Sequence, residues 1–267
     1  MSNITFDDLI NRLPTAMRLP LAQSAPPSVE SPGHKDFFVA PVLTNIWQPD
    51  KNPSVVLVSA RGAVGKTTFA SELAWKAGAH LWPLGKFQVG HQFLEGALAK
   101  AYGDEAYSQA ARELREGKRL VVLDGLDEAR LHAGERNFDA FLESIAERFR
   151  EAGERPSLLI LGRPLAANYT ADRLFDAGVS FEWYEIDYFD RAAAEQFIEN
   201  YLDRGRYKPH QHHRADFERA RITLLDWLLR SIPEGCRPEE PHRVRTRASI
   251  PRPTPRRRQP LRASSSA

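Results

Sequence analysis

Nine consecutive residues, Ala60, Arg61, Gly62, Ala63, Val64, Gly65, Lys66, Thr67 and Thr68, have the types and spacing of a phosphate-binding loop: Ala or Gly, four residues, then Gly-Lys-Thr. An apolar run, Val55 to Val58, leads into them and a helical pattern leaves from Lys66. That is the strand, loop and helix context the motif requires. Glycine at 62 and 65 lets the backbone close around phosphate oxygens without a Cβ in the way. Successive amides then form an anion nest at a helix N-terminus. Lys66 adds a positive charge for β- and γ-phosphates, and the Thr67 hydroxyl is a ligand for Mg²⁺. Ala60 stands where the commonest form of the motif has its first glycine.

Fifty-eight residues after Lys66, the run Leu120 to Leu123 ends in Asp124, followed by Gly125, Leu126, Asp127 and Glu128. An acid at the C-terminal edge of a parallel strand stands where ligands of α/β sheets bind. Asp124 is expected to hold Mg²⁺ opposite Thr67. Glu128, with Asp127 as the alternative, is expected to orient or deprotonate the water that attacks a γ-phosphate. Phosphoryl transfer depends on positioning and charge stabilisation, so one well-aimed carboxylate and a Mg²⁺ suffice. A further strand ends in Leu161, Gly162, Arg163 and Pro164. Arg163 is either a reader of the γ-phosphate at the same edge or a surface arginine in a turn set by Pro164.

These groups need a scaffold, and the sequence describes one. From Phe37 to about Asp187, short β-rich runs alternate with helical patterns, the signature of a parallel sheet covered by helices. The runs are Ser54 to Val58, His80 to Leu84, Arg119 to Leu123, Ser157 to Leu161 and Ser180 to Ile186. Continuous apolar stretches such as Val55 to Val58 suit strands buried on both faces. Lys66 to Ala77 places Phe69, Ala70, Leu73 and Ala77 on one helical face, with Gly78 as its stop. Phe138, Phe141, Leu142, Ile145 and Phe149 repeat the spacing, with Gly153 beyond. Ahead of the sheet, Phe6, Leu9, Ile10 and Leu13 read as one weak helix, and five prolines make residues 14–36 a linker. Behind it, Asp190 caps a helix with Ala193, Phe197, Ile198 and Tyr201 inward. A last pattern, Phe217 to Leu229 with Trp227, is apolar over most of its circumference and expects neighbours on several sides.

The chain has 267 residues, 37 basic against 35 acidic, 42% apolar residues and one cysteine. It holds no apolar run near the roughly 18 residues a membrane span needs. That excludes a disulfide scaffold and a helical membrane protein, and the cytoplasm is the expected location. The net charge of +2 hides an asymmetry. Residues 233–267 hold nine Arg, no Lys and three Glu, with seven of the 19 prolines, so they carry +6 and the rest −4. Such a segment cannot bury enough surface to order itself. Without interleaved aromatics it predicts no specific nucleic-acid binding. His210, His212 and His213 read as a solvated loop rather than a metal site.

At the two acidic and basic motifs the chain resembles the NACHT group of STAND (signal-transducing) P-loop NTPases. Leu123-Asp124-Gly125-Leu126-Asp127-Glu128 looks like that group's extended Walker B motif. Arg163-Pro164 is similar to its sensor arginine, with Leu161 and Gly162 in place of the usual Thr-Ser. Ile186 to Phe189 resembles its passage into a small helical domain, and Phe37 to Pro41 the segment before its NTPase core. The match covers about residues 37–232. It implies a three-layer α/β/α P-loop NTPase with a five-stranded parallel sheet over residues 37–188, a partial helical subdomain over 189–232, a short helix and linker over 1–36, and a tail over 233–267.

By that resemblance the protein is an ATP-binding switch with slow hydrolysis. ADP holds a closed monomer, and ATP with Mg²⁺ opens it to a homo-oligomer that activates an effector. Many bacterial relatives act in anti-phage defence. Members of the group continue into a winged-helix domain and a sensor region, and no such pattern follows Ile232. The chain is therefore expected to be truncated, by a frameshift near Ile232, with sensor and effector modules missing or on separate chains. Two other functions remain open on the sequence: a mechanical ATPase of the AAA type, and an inactive fragment that acts only as an interaction module through the helix around Trp227.

Overall fold

A computed structural model of the protein describes residues 3–49, 51–151 and 155–204, with residues 215–216, 219–220, 222–223 and 226–227 beyond them. His210, His212, His213, Cys236, Gly153 and the segment 233–267 lie outside the described residues, as does most of the pattern from Phe217 to Leu229.

Seven strands form one mixed sheet: β1 (Asn3–Ile4), β2 (Leu43–Trp47), β3 (Val55–Ala60), β4 (Leu81–Pro83), β5 (Val121–Asp124), β6 (Leu158–Gly162) and β7 (Phe181–Ile186). Their spatial order is β1-β2-β7-β3-β6-β5-β4. The five strands from β3 to β7 run parallel, with Val55 opposite both Leu158 and Phe181. These are the five expected from the sequence. The expectation of a five-stranded, all-parallel sheet is nonetheless corrected: β1 and β2 add two antiparallel strands beside β7, Leu43 pairing with Ile186. Two residues have no period to read, and β2 carries Thr44 and Asn45 where an apolar alternation would have signalled it.

Six α-helices are complete among the described residues: α1 (Phe6–Arg12), α2 (Lys66–Ala77), α3 (Phe93–Arg115), α4 (Leu126–Phe149), α5 (Pro164–Asp176) and α6 (Arg191–Arg204). Alternate residues of each central strand face opposite cores, as the two-residue period of a strand requires. Val56, Val58, Val122, Leu159 and Leu161 pack with α1 and α2; Val55, Leu57, Val121, Leu123 and Ile160 pack with α3, α4 and α5. The three-layer arrangement is consistent with a P-loop ATPase-like fold.

Three helices carry features that the sequence reading did not give. Pro164 does not set a turn; it occupies the first turn of α5, where proline's missing N–H costs no hydrogen bond and its fixed φ suits a helix. The long α3 is interrupted at Gly103, and α4 at Gly134, each with a left-handed φ. In α4 the period is read only beyond its break, from Phe138 onward. The proline-rich stretch 14–36 also has an ordered course along the sheet edge. Glu30 and Leu81 exchange both backbone hydrogen bonds at 2.9 Å, Ala22 N–H donates to Ala101 O, and Arg18 donates to Ala79 O and Pro32 O. Glu72, fully buried on α2, accepts from Lys35 N–H at 3.0 Å and stands 2.7 Å from His34 Nδ1. The strap thereby covers the otherwise open edge of β4, and a covered edge cannot template pairing with another chain.

Candidate functional site

The phosphate-type loop leaves β3 at the C-terminal edge of the sheet and runs into α2. Its left-handed bends fall at Ala63 (φ 65°) and Gly65 (φ 89°), not at Gly62. A non-glycine residue at such a φ costs on the order of 1 kcal/mol, and strain of this kind concentrates at functional turns. The first turn of α2 carries Lys66, Thr67 and Thr68. Gly65 supplies no side-chain cap, so the amides at this helix start are left for another acceptor.

The β3 and β5 strands are separated by β6, yet their ends converge. Asp124, buried at the end of β5, accepts from Lys66 Nζ at 2.7 Å through Oδ1 and from Thr67 Oγ1 at 2.8 Å through Oδ2. The side chains of Lys66 and Asp124 are 15% and 6% exposed, so this ion pair is largely shielded from water. Connections leave β3 in one direction toward β4 and return past it to β7. Such a reversal of strand order opens a crevice at the carboxyl ends of the strands, where ligands bind in open α/β sheets.

Gly125 starts α4 with a left-handed φ of 96°, which puts Asp127 and Glu128 on that helix's first turn. They take different surroundings. Asp127 is occupied by Arg163, accepting from its backbone N–H at 3.2 Å and pairing with its Nε at 3.0 Å. Arg163 precedes α5 and keeps an exposed guanidinium. Glu128 is exposed at the same sheet edge and makes no hydrogen bond or ion pair with any described residue. Its Oε2 lies against the backbone of Gly85 in the 3-10 turn Leu84–Lys86 that follows β4.

Beside the loop is an apolar cavity of about 390 Å³ that shares Ala63, Val64, Gly65, Thr68 and Phe69 with it. The far walls are aromatic: Phe37 and Phe38 from the end of the strap, Tyr188 and Phe189 after β7, and Phe197 on α6. Phe197 meets Phe37 edge-on at 6.2 Å and Phe189 at 6.0 Å. Asp190 holds α6 in place here, its Oδ1 accepting from Ala193 N–H at 2.8 Å. Phe197 and Ile198 face inward as their spacing predicts. Nothing in that spacing told that Phe37, Phe38 and Phe189 would close the same cavity. Glu185, at the end of β7, was also not singled out. Burial and the neighbouring Asp187 push its carboxyl above the usual range, and Arg61 opposes them.

The donor set suits Mg²⁺. The Thr67 hydroxyl and the Asp124 carboxylate are hard oxygen ligands standing side by side, and this ion takes one or two protein oxygens with the rest from phosphate and water. Among the described residues no group of three or more His, Cys, Asp or Glu could hold a metal ion by itself. No described helix is long and apolar enough to cross a membrane.

No family model matches the sequence, and no curated protein does. Among solved structures, the chain is similar to C. elegans PCH-2, with 15% identity and a TM-score of 0.32 over 60% of this chain. It spans 44% of that structure's length, and a likeness of that size says nothing of shared activity.

Proposed function

We propose that the protein binds ATP with Mg²⁺ and hydrolyses it slowly, as the nucleotide switch of a P-loop NTPase. The observation that carries this reading is a shared wall: the loop that meets Asp124 through Lys66 and Thr67 also lines, through Gly65 and Thr68, an aromatic cavity large enough to admit a planar base. Phosphates suit the cationic loop and a planar base suits the aromatic walls.

In this reading Lys66 and the loop amides neutralise the phosphates, Thr67 and Asp124 hold Mg²⁺, Glu128 orients the attacking water, and Arg163 senses the γ-phosphate. Asp127 then acts on Arg163 rather than on water. The Mg²⁺ supplies charge neutralisation across the phosphates. The finer assignment, a NACHT-type switch that oligomerises when ATP is bound, rests on the likeness of Leu123 to Glu128 to that group's motif.

Calorimetric titration of the chain with ATP in the presence of Mg²⁺, beside a Lys66→Ala variant, tests the reading. Saturable binding is expected, weakened about thirtyfold or more by the substitution, as the loss of a charge-assisted bond of about 2 kcal/mol requires. Equal affinity in the two proteins, or no binding by the parent, overturns it.

A further inference from the structure

The Glu128 carboxylate has no bonding partner among the described residues, so its position is set by shape. A Cβ placed on Gly85 would lie 2.1 Å from Glu128 Oε2, 3.1 Å from its Cδ and 3.2 Å from its Cβ. A Cβ on Gly125 would lie 3.2 Å from the same Oε2. The carboxylate therefore rests in a slot between two bare stretches of backbone, one from the start of its own helix and one from the turn after the edge strand.

That turn is anchored from three sides. Leu84 is fully buried, Phe87 N–H closes the turn on Leu84 O at 3.0 Å, and Lys86 Nζ pairs with Glu30 Oε1 at 3.0 Å. Glu30 is itself bonded through its backbone to Leu81 of β4. The slot wall at residue 85 is therefore held by the sheet edge and the strap. A side chain added there meets a fixed backbone behind it and the flexible end of Glu128 in front. The carboxylate must yield.

We propose that Gly85 is the positioning residue for Glu128, fixing where its carboxylate stands relative to the γ-phosphate. This rests on the reading of Glu128 as the group that orients water. In that step a water oxygen bonds to the γ-phosphorus, the bond from that phosphorus to the β,γ-bridging oxygen breaks, and ADP and phosphate leave. The water proton passes to Glu128 and then to solvent. Gly85 touches neither substrate nor water and acts only through the carboxylate.

The test compares five proteins: the parent, Gly85→Ala, Glu128→Ala, the double variant and, as the activity control, Glu128→Gln. Each is measured for melting temperature, affinity for ATP with Mg²⁺, and kcat. Gly85→Ala is expected to bind ATP within about twofold of the parent and to lose kcat by tenfold to about 10²-fold, the scale of a displacement near 1 Å. In the Glu128→Ala background, where of these contacts only the 3.2 Å approach to the Cβ remains, the same substitution is expected to change kcat no further and to lower the melting temperature less than it does in the parent. That stability comparison needs no activity and stands even if Gly85→Ala is poorly folded alone. A crystal structure of Gly85→Ala is expected to show the carboxylate outside the slot. Parental kcat in Gly85→Ala beside a dead Glu128→Gln overturns this inference and leaves the ATPase reading intact. So does an equal loss of stability from Gly85→Ala with and without the Glu128 side chain. Turnover unaffected by Glu128→Gln, or absent in the parent, overturns the role of Glu128 and this inference together.

Discussion

Lys66 and Asp124 meet at 2.7 Å across a strand that belongs to neither, and the second oxygen of the same carboxylate takes the Thr67 hydroxyl. One buried acid thus engages both side chains that the proposed function assigns to phosphate and Mg²⁺. Nucleotide binding must exchange the Lys66 bond to Asp124 for bonds to phosphate, and both are charge-assisted. Asp124→Asn keeps the shape of the acid and removes its charge. The variant is expected to bind ATP equally well with Mg²⁺ and with EDTA, whereas the parent loses affinity when the metal is chelated. Calorimetry under the two conditions checks this; a metal dependence that survives the substitution places Mg²⁺ elsewhere.

The partition of the two neighbouring acids gives a second expectation. Asp127 holds Arg163 by two contacts and Glu128 bonds to none of the described residues, so of the two Glu128 is the one available to a water without first breaking the Arg163 ion pair. Removing a general base costs about 10²- to 10⁴-fold in rate. Glu128→Gln is therefore expected to lose turnover on that scale with nucleotide affinity kept. Asp127→Ala releases Arg163 and is expected to cost less, about fivefold, since the surface-accessible pair it breaks is worth about 1 kcal/mol. Single-turnover rates for both variants decide the matter, and the reverse order would make Asp127 the base.

The parallel core was legible because its strands are buried on both faces and read as unbroken apolar runs, Val55 to Val58 and Leu120 to Leu123. The loop and Asp124 were legible because each sits where a strand ends. The choice between Asp127 and Glu128 was not. It depends on where Arg163 arrives from another strand, and no local pattern carries that. The cavity was hidden for the same reason: Phe37 and Phe197 are 160 residues apart, and no local spacing joins them. Residues 14–36 misled in a different way. Proline forbids a helix but not an ordered extended path, and the bonds of Glu30 to Leu81 and of Ala22 to Ala101 are what order it.

Ala63 carries a φ of 65°, a conformation glycine adopts without steric cost. Ala63→Gly relieves that strain while adding freedom to the unfolded chain, and the first effect is the larger where φ is positive. The variant is expected to melt about 2 °C higher than the parent, as a gain of about 0.5 to 1 kcal/mol implies for a domain of this size. A lower melting temperature would mean that the Ala63 methyl makes a contact worth more than the strain.

His80 ties the strap to the sheet edge and should make that tie sensitive to acid. Its Nε2 lies 2.9 Å from the Leu19 carbonyl, which can only accept, so Nε2 carries the proton and Nδ1 accepts from the Ser31 hydroxyl at 3.1 Å. Burial first, and the charges of Arg18 and Arg119 after it, hold the imidazole below its ordinary value of 6.5, against the Leu19 carbonyl bond. The unfolded chain therefore takes up a proton near pH 6.5 that the folded chain still refuses. Stability from this group is complete above that pH and is lost as the pH falls toward the lower folded value. His80→Gln keeps a donor for the Leu19 carbonyl and cannot titrate. Between pH 8 and pH 5 the parent is expected to lose more melting temperature than the variant, with hydrogen exchange at residues 19–31 rising first. Parallel profiles for the two proteins would show that the folded protein takes up the His80 proton at no cost, and the strap would then owe its acid response to other groups.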